Sequence, residues 1–211
     1  MLLPGLWTPG WAMIVLARRL DRFGFTPRIF TYPTVRRDLC QNATLLAGYL
    51  DRIPETRVHL VGFSLGGLVI RAFVRDFGAA RIHRAVMMGT PNAGSEAALR
   101  VSRWRMVRPL LGRGIGMLLD GVPAQWAWPE VELGLIAGAI HSRGRVRSGG
   151  PVPNDGLVSV DEVWLTGAQD HIVVPASHSG LLFSQGVAER VACFLHTGRF
   201  DASSLGFAPR R

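Results

Sequence analysis

The 211-residue sequence has no lysine, and all 24 of its basic side chains are arginine. Set against 15 acidic residues, this leaves a formal net charge of +9, a balance that suits phosphate backbones and anionic membrane surfaces. The total absence of lysine reads as a coding bias rather than a recognition device. Two local clusters stand out, Arg100, Arg103, Arg105, Arg108 and Arg113, and then Arg143, Arg145 and Arg147. Neither is interleaved with aromatics that would form a stacking surface, and neither sits in a zinc-finger or nucleotide-binding motif. A solvated face is the simplest use for them. Nucleic acid is not an expected partner, and peripheral contact with an anionic substrate or membrane surface is the minority alternative.

Cysteine is scarce too. Cys40 and Cys193 are too few for a disulfide framework and are not spaced as metal ligands, so two buried thiols are expected. Long hydrophobic runs are missing: no stretch approaches the roughly 18 apolar residues of a spanning helix. The first twenty residues are broken by Pro4, Gly5, Pro9 and Gly10 with no basic region before them, a poor signal peptide. The expectation is a soluble, cytoplasmic protein. Charge is low at 18% and hydrophobic content is 48%, which excludes disorder of the whole chain and allows one domain with a sizeable core.

What the chain does have is an alternation of short apolar runs with helical stripes. Met1–Leu3, Arg28–Phe30, Val58–Val61, Ile82–Met88, Val131–Ile136, Val158–Leu165 and Ile172–Val174 read as strands or strand fragments. Between them, Trp11–Leu20 reads as a helix. So do the stripes Leu39/Ala43/Leu46/Leu50, Leu65/Val69/Phe73/Phe77 and Val187/Val191/Phe194/Leu195. This pattern predicts an α/β fold with an open, mostly parallel sheet covered by helices on both faces, and such sheets place their sites at the carboxyl ends of strands. The segment from about residue 96 to 130 fits no strand–helix unit. Its Trp and Met residues among Arg, Gly and Pro predict short helices forming a cap or a pocket wall. The Gly/Ser/Arg-rich stretch 138–150 reads as a surface loop.

Gly62-Phe63-Ser64-Leu65-Gly66 is a G-x-S-x-G motif lying between a strand and a helical stripe. Small residues on both sides permit a tight turn that projects the Ser64 hydroxyl, and the start of the following helix offers backbone N–H groups to a developing negative charge. The backbone N–H of Leu65 is one candidate oxyanion donor. The loop after the first strand supplies the other, the N–H of Leu6 in Pro4-Gly5-Leu6-Trp7. Serine needs a base, and the base needs an orienting carboxylate; where a G-x-S-x-G elbow carries the serine, these partners follow in the chain order Ser, acid, His. His178, in the loop before the last helix, is the candidate base, and His171 is the weaker alternative. Asp155, in Pro153-Asn154-Asp155-Gly156, is the candidate acid, with Asp161, Glu162 and Asp170 as rivals. His59 and His83 suit structural or surface roles, His141 leaves little room for an acid after the late strand, and His196 lies in the final helix, on the wrong side to return to the cleft.

Taken together, these residues resemble the α/β-hydrolase superfamily, particularly its small bacterial lipase/esterase-like branch. The resemblance runs from Leu2-Leu3-Pro4-Gly5 through the Ser64 elbow and Met88-Gly89-Thr90-Pro91-Asn92-Ala93-Gly94-Ser95. It continues through Gly134–Gly138, Asn154–Ser159 and His178-Ser179-Gly180, nearly the whole chain. Members commonly carry His-Gly where this chain has Pro4-Gly5, and His where it has Phe63. The chain also starts at about the third strand of a full-length member, as a minimal version would. The resemblance implies Ser64, Asp155 and His178 as a triad, Leu6 and Leu65 as the oxyanion donors, and chemistry without metal or cofactor. The expected activity is cleavage of a small, lipid-like carboxylic ester through an acyl-enzyme. The same serine would equally serve an acyltransferase or a thioesterase, and a non-catalytic interaction protein could keep the fold.

Overall fold

The computed structural model describes residues 1–96, 98–99, 108–140 and 153–201, with residues 108–111 described in backbone only. Its elements are β1 (Leu2–Leu3), α1 (Ile14–Arg22), α2 (Leu39–Leu50), β2 (Val58–Phe63), α3 (Leu65–Phe77) and β3 (Ile82–Met88). Then come α4 (Arg108–Leu119), β4 (Leu133–Gly138), α5 (Val160–Val163), β5 (Asp170–Val174), α6 (Gly180–Phe183) and α7 (Gln185–Thr197). Short 3-10 turns at Gly10–Met13 and Pro123–Gln125 lead into α1 and out of α4.

The five strands lie side by side in chain order, and every neighbouring pair is parallel. Parallel neighbours need crossovers, and the crossovers cover both faces. Along β3 the side chains alternate. Ala85 and Met87 join Leu39, Leu46, Leu68, Phe73 and Leu135 in one core, while Val86 and Met88 join Leu16, Leu20, Ile136, Val191 and Phe194 in the other. The first core lies under α2 and α3 and the second under α1 and α7, so the sheet is sandwiched as its apolar runs predict.

Local signals set the helix starts. Asp38 and Gln41 form a reciprocal capping box at α2, Asp38 Oδ1 accepting from the Gln41 N–H at 2.8 Å. Ser184 caps α7, and Gly198, at φ 78°, ends it.

Three expectations change. Arg28–Phe30 is no full strand: Ile29 makes a single parallel bridge to Leu2, because β1 itself ends at Pro4 and offers nothing further to pair with. Val158–Leu165 is no strand beyond the single antiparallel bridge of Ser159 to Asn154. Ser159 accepts from the Glu162 N–H while Glu162 accepts from the Ser159 N–H, and this capping box opens α5. The fourth strand is shifted to Leu133–Gly138, two residues beyond the expected run. Most of the 138–150 stretch, and Arg143, Arg145 and Arg147 with it, lies outside the described residues, as do Arg100, Arg103 and Arg105 of the first cluster. Both cysteines are free thiols; Cys193 is buried as expected, but Cys40 is only partly so. Among the described residues no helix is long and apolar enough to cross a membrane.

Candidate active site

The carboxyl ends of β1, β2, β3, β4 and β5 point the same way, and Gly5 after β1, Thr90 after β3 and His178 after β5 lie against Phe63 and Ser64 at the end of β2. Ser64 caps α3 with φ 51° and ψ −119°, a conformation costing a non-glycine residue about 1–3 kcal/mol. The surroundings hold it there. Its N–H donates to the Met88 carbonyl at 2.8 Å, and its own carbonyl accepts from the Gly67 N–H at 3.0 Å and the Thr90 hydroxyl at 3.0 Å. The flanking glycines are required by close approach. A Cβ at Gly62 would lie 2.5 Å from the Gly67 nitrogen, one at Gly66 would collide with the Leu3 carbonyl, and one at Gly67 with the Thr90 side chain.

Asp155 is buried in the loop before α5. Its Oδ1 accepts from the N–H groups of Leu157 at 2.9 Å and Val158 at 2.7 Å, and its Oδ2 lies 2.7 Å from His178 Nδ1. The backbones meet as well, the His178 N–H donating to the Asp155 carbonyl at 2.8 Å. With the carboxylate otherwise occupied as an acceptor, Nδ1 carries the proton, which leaves the Nε2 lone pair free to accept one. The imidazole is fixed on two further sides. The Phe63 ring lies 4.8 Å away, centroid to centroid, at 41°, and a Cβ at Gly89 would sit 3.1 Å from His178 Cε1 and Nδ1.

The elbow and the Asp155–His178 pair therefore share neighbours, since Phe63 precedes Ser64 and Gly89 follows the residue that Ser64 bonds. Among the described residues no hydrogen bond joins Ser64 Oγ to His178. Such contacts are often long before substrate binds.

The first loop also reaches the elbow. A Cβ at Gly5 would be 3.0 Å from Ser64 Cβ, so the Leu6 amide follows directly after a residue packed on the serine. The described hydrogen bonds give neither the Leu6 nor the Leu65 N–H an acceptor. Tyr32 anchors this loop by donating its hydroxyl to the Pro4 carbonyl at 2.5 Å, and burial pushes that phenol well above its ordinary pKa. The loop closes with the Thr8 N–H on the Gly5 carbonyl at 3.2 Å, leaving Trp7 in a left-handed conformation at φ 52°.

The rival residues are elsewhere. Asp170 begins β5, at the opposite end of the sheet, and its carboxylate accepts from the His171 and Phe200 N–H groups. Glu162 is used in its own helix cap, and Asp161 is exposed on α5. His171 packs edge-on against Trp164. His59 and His83 pair at the amino end of the sheet, with ring centroids 4.9 Å apart, and burial lowers the His59 pKa from its ordinary value to about 4. His141 lies outside the described residues.

Sequence reasoning assigned no role to Thr90, Gly89, Arg71 or Asn92. Arg71, buried on α3, donates to the carbonyls of Asn92 at 2.9 Å and Trp126 at 2.5 Å, and the Asn92 amide donates to the Val163 carbonyl at 2.8 Å. This network ties α3, the helix that follows Ser64, to the loop after β3 and to α5. Burial lowers the Arg71 pKa to about 10, which still leaves it protonated at neutral pH. An arginine in the middle of an apolar helical stripe was the available signal. Among the described residues no group of three or more His, Cys, Asp or Glu side chains could hold a metal ion.

Residues 10–126 match the model of a family described only as a domain of unknown function, DUF7379. The chain belongs to that family. The part of it matched by DUF7379 includes Ser64, Gly89, Thr90 and Arg71 but stops short of Asp155 and His178. No curated protein matches the sequence. Solved structures extend the comparison over nearly the whole DUF7379 chain. The mature lipase BlEst2 of Bacillus licheniformis superposes with a TM-score of 0.74 at 20% identity, over 93% of this chain and 90% of its own. The phospholipase PlaB of Legionella pneumophila, in complex with thio-NAD, gives 0.65 at 15% identity, over 93% of this chain but only 55% of its own. A meta-cleavage product hydrolase from Pseudomonas fluorescens gives 0.57 at 14%, over 92% and 89%. The fold of this DUF7379 protein is accordingly that of the α/β hydrolases.

Proposed function

We propose that the protein is a serine hydrolase that cleaves carboxylic esters through an acyl-enzyme, with Ser64 as nucleophile, His178 as general base and acid, and Asp155 as the carboxylate orienting it. The observation that carries this reading is the buried Asp155 carboxylate 2.7 Å from His178 Nδ1, in an imidazole packed against the elbow residue Phe63. An aspartate satisfied by two backbone amides and one imidazole N–H is an orienting group, and it presents Nε2 as the proton acceptor for a nearby hydroxyl.

In the reaction so derived, Ser64 Oγ attacks the ester carbonyl as His178 Nε2 takes its proton. The N–H groups of Leu6 and Leu65 stabilise the oxyanion. His178 then protonates the leaving alcohol, and a water activated by the same histidine releases the acid. The donors are fixed before the charge develops, and each such group is worth about 3–4 kcal/mol in transition-state energy. The segment around 96–130 would form a wall of the acyl pocket, since Ile115 and Leu118 share a core with Leu65, the residue after the nucleophile. Lipid-like esters suit this apolar wall, and the neighbours named as lipase and phospholipase support that choice.

The test is labelling with a serine-directed fluorophosphonate and mapping of the adduct. The expected result is modification at Ser64 alone. Ser64→Ala is expected to abolish both labelling and turnover of p-nitrophenyl esters, a loss of about 10⁴-fold or more, with the fold intact. Undiminished turnover by the purified variant would refute the assignment.

A further inference from the structure

We propose that the stretch Trp7–Ile14, with the arginines on either side of it, docks the protein onto an anionic phospholipid surface at the mouth of the Ser64 site. Three large apolar side chains in eight residues face solvent: Trp7 is 58% exposed, Trp11 69% and Ile14 38%. Trp7 is displayed against local preference, since its φ of 52° is one that favours glycine. Trp11 and Ile14 sit three residues apart across the 3-10 turn into α1 and therefore share a face. Phe183, 47% exposed, is held beside α1 because Arg19 donates to its carbonyl at 2.6 Å.

The charge around this apolar ridge selects the occupant. The ridge's own face continues along α1 through exposed Arg18 and Arg22, with Asp21 the acid among them. On the other side lie exposed Arg36 and Arg37, ahead of Asp38, which caps α2. Their loop is tied to the ridge by Tyr32 on the Pro4 carbonyl and by Thr31, whose hydroxyl is 2.9 Å from where a Cβ at Gly10 would be. Among the described residues none of these four arginines has an ion-pair or hydrogen-bond partner for its side chain. Indoles seated between unpaired guanidinium groups fit the interface of a bilayer carrying negative headgroups: the rings enter the headgroup boundary and the cations meet the phosphates. Gly5 and Leu6 connect the ridge to Ser64, so a surface held there presents acyl esters to the site. This catalytic consequence rests on the serine hydrolase reading; the docking itself does not.

The experiment sediments full-length Ser64→Ala protein, which cannot turn over lipid, with phosphatidylcholine vesicles made with or without an equal part of phosphatidylglycerol. Binding is expected only to the anionic vesicles, and it should weaken with salt. Adding Trp7→Gly, which relieves the backbone, and Trp11→Ser should lower affinity about tenfold or more. Arg18→Gln with Arg22→Gln, or Arg36→Gln with Arg37→Gln, should lower it about fivefold per charge. Phe77→Ser, an equally exposed apolar residue at the far end of α3, should leave it unchanged. Equal binding to neutral vesicles, an equal loss in Phe77→Ser, or full binding without the two indoles would overturn the proposal. So would a dimer seen by ultracentrifugation that Trp7→Gly and Trp11→Ser dissolve, because the ridge would then belong to a second copy. Turnover of a water-soluble short-chain ester by the unsubstituted protein reports the active site separately. Its absence would count against the hydrolase reading and leave the sedimentation result standing.

Discussion

Replacing Asp155 by Asn and, separately, by Ala divides the catalytic part proposed for this residue from its structural part. Asp155 Oδ1 accepts from the Leu157 and Val158 amides, and Oδ2 faces His178 Nδ1 at 2.7 Å. Asn keeps an oxygen for the two amides but puts an N–H₂ group against Nδ1. Two donors cannot face each other, so the imidazole must place its proton on Nε2, where it can no longer accept one from Ser64. The expected loss in kcat/KM is about a thousand- to ten-thousandfold, or ~4–5.5 kcal/mol, with little change in melting temperature. Ala removes the acceptor of both amides as well. One of these is fully buried, and leaving the pair unsatisfied costs about 3 kcal/mol, which in a chain of this size lowers the melting temperature by roughly 6–12 °C. Ester hydrolysis followed with p-nitrophenyl butyrate, beside thermal unfolding of both variants, gives the comparison. A folded Asp155→Asn protein that keeps more than a tenth of the activity would refute the role assigned to the carboxylate.

Three other outcomes follow from the same geometry. Gly89→Ala forces a side chain at φ 55° to within 2.9 Å of Leu181 and 3.1 Å of the His178 ring. Steady-state kinetics should show kcat falling about ten- to a hundredfold as the His178 ring is displaced, and wild-type kcat would mean that the ring can yield freely. Gly66→Ala pushes a methyl group into the Leu3 carbonyl, a backbone clash with no side chain to move aside. It is expected to destabilise by about 3 kcal/mol or more in a urea titration. His59 stays neutral in the folded protein down to about pH 4, whereas the unfolded chain takes up its proton near the ordinary value of about 6.5. Stability should therefore decline as pH falls through that window, by about 2 kcal/mol once the partial exposure of the ring is allowed for, and His59→Gln should remove that part of the decline.

Much of the candidate site was legible in the sequence because the proposed chemistry depends on short, local requirements. The serine elbow needs small residues at fixed offsets, so Gly62, Ser64, Gly66 and Gly67 announce it. Thr90 and Gly89 stand within a turn-rich motif, but nothing local announces their tasks. One bonds the Ser64 carbonyl, and the other makes room for His178, and both depend on a partner more than twenty residues away. The capping box Ser159–Glu162 was written in the sequence, yet the apolar residues around it read as strand.

By itself, the sequence determined the alternation of strands and helices, a parallel sheet with two covered faces and the glycine-flanked turn at Ser64. These follow from side-chain periodicity and turn chemistry, which act over a few residues. Only the tertiary structure decided that Ile29 contributes one bridge rather than a strand, that Arg71 binds two distant loops together, and that Trp7 and Trp11 face outward while Trp126 and Trp128 are buried. An indole or a guanidinium group has no local preference strong enough to fix its surroundings. Its place is set by which surfaces the sheet brings together, and that is known only once the strands have paired.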